Sequence, residues 1–172
     1  MSSLQYLLYL LSVSLHLLAA AVWIGGMVFL GLVLIPVIRR PEHRGVAANL
    51  IHWTGLRFRM VGWVCLAVLL LSGAGNLVSR NIGWMDLWSG TLVLGPFNRT
   101  LALKLLLVTA ILFLSAFHDF HVGPRATEIW RDKPDSPEAR RLRVQASWIG
   151  RLNLVLALIV FALGVVLARG GP

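Results

Sequence analysis

"LHLLAAAVWIGGMVF", residues 15–29, is an apolar run that holds one imidazole, His16, and one indole, Trp23. The apolar character extends on both sides, from about residue 5 to about Ile38. A bilayer core takes about 20 predominantly apolar helical residues, so the stretch reads as a membrane span with length to spare for tilt. No positively charged region precedes it and it is too long for a signal-peptide core, so the segment is expected to be retained. An imidazole inside such a span costs free energy unless a partner compensates it, which makes His16 the first residue to explain.

The rest of the chain is of the same kind. Of its 172 residues 58% are hydrophobic and 13% charged, with a mean hydropathy of +0.78, against about half apolar and a quarter charged in soluble domains. Three further apolar stretches, roughly 58–79, 100–122 and 146–168, complete a set of four. The expected fold is an all-α integral membrane protein, a four-transmembrane-helix bundle forming one domain over residues 1–172, with no internal repeat evident. Cys65 is the only cysteine and lies within an apolar stretch, which excludes an intrachain disulfide and reads as packing.

Charge sets the orientation. Residues 38–59 carry Arg39, Arg40, Arg44, Arg57 and Arg59, and residues 124–151 carry seven basic residues, whereas the second connection holds only Arg80 and Arg99. By the positive-inside rule the first and third connections are cytoplasmic, and both termini face the outer, periplasmic side. The net charge of +9 therefore belongs to membrane orientation and anionic lipid contact. No basic stripe interleaved with aromatics marks a nucleic-acid face. Within the connections, Val46, Leu50 and Trp53 recur at helical spacing and predict a short interfacial helix. Trp84, Leu87, Trp88 and Phe97 suggest an outer aromatic belt, and "RDKPDSPEARR" a mobile loop.

Helical periodicity sorts the polar residues of the spans. Ser12, His16, Ala20, Trp23 and Met27 share one face of the first span; Arg59, Trp63, Leu70, Gly73, Asn76 and Arg80 line up on the second; Lys104, Ile111, Ser115 and His118 on the third. At about 1.5 Å per residue, His16 lies roughly 7 Å outward of its span's midpoint, and Asn76 and Lys104 roughly 10 Å outward of theirs. These three form an expected outer site, with Trp23 on the same face as His16. His118, Asp119 and His121 lie toward the inner end with Arg59 and Arg151. Each residue also has a plainer reading: His16 as a packing hydrogen bond, Lys104 snorkelling to the interface, His118 and His121 as ordinary interfacial residues, and Arg59 and Arg151 as headgroup anchors.

Imidazole in a membrane bundle can ligate haem iron, ligate copper or relay protons. Lys104, Asn76 and Arg80 would suit haem carboxylates, whereas copper(I) prefers soft thioether or thiolate donors beside imidazole. Met27 is the thioether on the His16 face, almost three turns away, and His118-Asp119-x-His121 offers donors that do not all converge on one helix face. The candidate metal ligands are thus His16, Met27, His118, Asp119 and His121; the candidate cofactor-binding residues are His16, Trp23, Asn76 and Lys104.

"LHLLAAAVWIGGMVF", "RFRMVGWVCLAVLLLSGAGN" and "LALKLLLVTAILFLSAFHDFHVGPR" resemble successive spans of the CopD superfamily, the membrane domain of copper resistance protein D. The resemblance implies a four-helix unit of the bacterial inner membrane concerned with copper uptake or resistance, served by a periplasmic copper donor. The same residues are similar to the HemJ-type protoporphyrinogen oxidases of that superfamily. That likeness implies His16 as a haem b ligand, Lys104 as a carboxylate partner and a membrane electron carrier as acceptor. His118 stands about one turn further from Lys104 than that group leads one to expect, and "FHDF" replaces its "YH" context. A scaffold subunit of a membrane complex is the third class, and whether the chain is an enzyme, and whether it oligomerises, stays open at this point.

Overall fold

The computed structural model describes residues 2–80, 82, 85, 95–133 and 136–170. Among them every regular element is helical, and four helices are long and apolar enough to cross a membrane. They are α1 (Ser3–Ile38), α2 (Arg44–Val78), α3 (Pro96–Asp132) and α4 (Pro137–Ala168). Helix α1 packs most extensively on α2 and α3 on α4; α1 also touches α4, and the last turns of α3 touch α2. Helices α1 and α3 therefore face each other across the bundle.

The outward faces carry the large apolar side chains. Leu32, Leu71 and Phe113 are each more than 70% exposed, which is the distribution a lipid solvent rewards. The interior is built from smaller groups. Ala19 and Trp23 of α1, Cys65 and Leu66 of α2, Ile111 of α3 and Ala157 of α4 form one buried cluster drawing on all four helices. Small residues admit this close approach, since lipid offers no hydrophobic force to drive helices together and packing must do the work.

Helix starts follow local chemistry. Ser2 and Gln5 form a reciprocal capping box, with Ser2 N–H donating to Gln5 Oε1 at 2.8 Å and Gln5 N–H to Ser2 Oγ at 3.3 Å. Ser136 caps α4 by accepting from the Ala139 N–H at 3.1 Å, with Pro137 in the first turn. The connection expected to be a mobile loop is thus mostly helix: α3 runs on to Asp132 and α4 begins at Pro137, while Pro134 and Asp135 lie outside the described residues. The expected interfacial helix around Val46–Trp53 is likewise continuous with α2. Of the outer aromatic belt, Trp84, Leu87 and Trp88 lie outside the described residues; Phe97 sits under the Arg80 guanidinium, 5.4 Å from ring centre to Cζ.

Helices α1 and α3 each contain one widened turn. The backbone takes π geometry over Leu30–Leu34 and again over His118–Val122, where Ile35 N–H reaches Leu30 O and Gly123 N–H reaches His118 O. In both cases the next residue is a proline, Pro36 or Pro124. A proline lacks the N–H for an α-type bond and its ring crowds the carbonyl four residues back, and widening the preceding turn relieves both faults without ending the helix. Lys104 precedes Pro124 by the same interval that separates His16 from Pro36. Helices α1 and α3 thus carry these two side chains at the same distance ahead of a proline and a widened turn.

Candidate functional site

The outer group begins with α1 against α2. Ser12 Oγ donates to the Ser72 carbonyl at 3.1 Å, and one turn on His16 Nδ1 lies 2.9 Å from Ser72 Oγ. The ring packs over Gly73, where a Cβ would sit at an ordinary contact distance of 3.5 Å from His16 Cε1. The tautomer follows from the hydroxyl. Ser72 Oγ–H donates back to the Val68 carbonyl, so its oxygen can only accept from the ring, and Nδ1 carries the proton. Neutral His16 then presents an unprotonated Nε2, the nitrogen that can ligate a metal, held by a partner on its other nitrogen in the way metal-binding imidazoles are held.

Lys104 reaches the interior from α3. Its ammonium lies 3.2 Å from where a Gly164 Cβ would be, so this glycine of α4 leaves room for it, and it is close enough to act electrostatically on His16. The Asn76 side chain, one turn from Ser72, has its Oδ1 buried without a partner among the described residues. His16 and Lys104 thus lie within electrostatic range of each other, His16 held by α2 and Lys104 against α4. Trp23 takes a different part: it is buried in the core cluster with its indole against Gly62.

A second group lies deeper. Asn153, 8% exposed, donates from Nδ2 to Ser115 Oγ at 3.0 Å, with Met27 Sδ 4.0 Å from the same nitrogen. Its Oδ1 is buried without a partner among the described residues. Met27 is thus grouped with Ser115 and Asn153 rather than with His16. The signal for Asn153 was present in the sequence, as the single amide in "RLNLVLALIVFALGVV". Ser72 was visible only as a small residue beside Gly73.

The third group sits in the widened turn of α3. His118 Nδ1 meets Asp119 Oδ1 at 2.9 Å, Trp63 Nε1–H donates to Asp119 Oδ2 at 3.1 Å, and Arg59 donates to the Asp119 carbonyl at 3.0 Å. Both carboxylate oxygens are engaged, so Asp119 acts as the orienting partner of His118 and leaves that ring's Nε2 available. His121 does not join them: it is exposed and stacks on Phe117 with centroids 5.7 Å apart. Arg151 lies over Trp148. Among the described residues no three His, Cys, Asp or Glu side chains converge on one point. The hydrogen bond from Trp63 can be weighed directly. Trp63→Phe should lower stability in a denaturation series by about 1.5 kcal/mol, the low end for a bond to a charged acceptor, since Asp119 keeps some solvent access.

A family model described as copper resistance protein D matches residues 53–167. The match takes in Ser72, Lys104, Asp119 and Asn153, while His16, Trp23 and Met27 precede it. An uncharacterized protein of Aquifex aeolicus (strain VF5) is 31% identical over 158 residues, spanning 91% of this chain and 92% of the relative. No solved structure matches the chain significantly.

Proposed function

Because the chain belongs to the copper resistance protein D family, we propose that it handles copper in the bacterial inner membrane, lying N-terminus outward and receiving the metal from a periplasmic donor. The reading is carried by the Ser72–His16 bond, which frees His16 Nε2 to act as a ligand. Further donors follow along the bundle: Met27 Sδ beside Asn153 and Ser115, then His118 held by Asp119. Imidazole and thioether are the donor types that suit copper(I), and donors spaced in depth suit a metal that passes from one to the next.

The test is the copper content and visible spectrum of the purified protein in detergent, with Ser72→Ala as the informative variant. It keeps His16 but releases Nδ1, and copper affinity should fall 10- to 100-fold, the range for losing a partner that orients a ligand. Unchanged affinity would remove the tautomer argument.

A second reading, haem b on the same Nε2, draws on the Lys104 ammonium, which repels a bare cation but suits the carboxylates of a tetrapyrrole. Bound haem would supply one-electron chemistry, with Asn76 and Lys104 as the groups to hold its propionates. A Soret band lost in His16→Ala, without stoichiometric copper, would decide for it.

A further inference from the structure

A groove of about 440 Å³ opens where α2 meets the widened turn of α3, at the arginine-rich end of the bundle, lined by Trp53, Leu56, Arg57, Arg59, Met60, Trp63 and Phe120. Its two ends differ in chemistry. Trp53 and Arg57 stand at the mouth, and α2 then carries Arg59, Met60 and Trp63 toward the membrane interior, where Phe120 lies 5.7 Å from the Trp63 ring. Its two guanidiniums lack charge partners. Arg57 has no hydrogen bond, ion pair or ring contact among the described residues. Arg59 donates only to a neutral carbonyl and lies over Phe120, 5.8 Å from the ring centre. The Asp119 carboxylate is turned to His118 and Trp63.

The geometry points to a binding site for one anionic glycerophospholipid of the cytoplasmic leaflet, its phosphate between Arg57 and Arg59 and an acyl chain along Met60, Trp63 and Phe120. Polar mouth and apolar depth match the orientation of a lipid in that leaflet. Basic pockets between spans on the cytoplasmic side take such headgroups. Arg59 and Trp63 both contact Asp119, so the lipid would rest on the same two side chains that hold the His118–Asp119 pair. The site does not depend on the chain carrying copper.

Native mass spectrometry of the full chain, released from detergent with equal phosphatidylglycerol and phosphatidylcholine, tests this. Phosphatidylglycerol should be retained preferentially. Arg57→Gln should weaken its retention about fivefold, the contribution of one interfacial basic residue, while Arg57→Lys keeps most of it and Arg169→Gln at the opposite end changes nothing. Glycerol phosphate should not compete, because the chain contacts are missing. Equal retention of both lipids, indifference to Arg57→Gln, or full competition by glycerol phosphate would each overturn the assignment.

Discussion

On the proposed copper reading, His16→Ala is expected to abolish copper binding by the purified protein, the largest single effect on function. The reasoning is local. His16 is the one imidazole of the outer group, its Nδ1 is committed to Ser72, and Nε2 is what remains for a ligand. Ser12 holds the same helix contact without the ring, through the Ser72 carbonyl and against Gly75, so the variant should still fold. The cavity left by a half-buried side chain should cost no more than about 2 kcal/mol. A His16→Ala protein that keeps its full copper complement would end the assignment of this residue.

The second large effect concerns Asn153. Asn153→Asp places a carboxylate at a buried position in the span, where an acidic residue costs about 3 kcal/mol, and the variant should unfold in detergent at markedly lower temperature or fail to accumulate in the membrane. Asn153→Leu should do the opposite to stability. It removes a buried oxygen that has no partner among the described residues, and Ser115 can return its hydroxyl to its own helix. Unchanged or raised thermal stability together with slowed copper passage is the expected pair of results. A loss above about 2 kcal/mol in the leucine variant would make the amide a packing element instead.

How much of this was legible depends on the scale of the signal. Four spans follow from hydropathy, since lipid contact demands about 20 apolar residues in a row whatever their order. That His16 and Lys104 turn inward was legible from their faces, because an imidazole and an ammonium in apolar helices have few places to turn. Ser72 was not, since a serine in a membrane helix commonly bonds its own backbone, and nothing in "LLLSGAGN" says that its oxygen would also accept from a neighbouring helix. The start of α4 was written in Ser136-Pro137-Glu138 but read as a loop for its charge. The widened turns left only their prolines as a trace, and a proline near a span end more often announces a stop than a continued helix.

The matched placing of His16 and Lys104 before their prolines has a consequence for the bundle as a whole. Each of the two helices continues through its proline, so His16 and Lys104 reach the interior from separate helices that each run on past the widened turn. The charge of Lys104, seated against α4, then acts from that side on whatever the His16 ring holds.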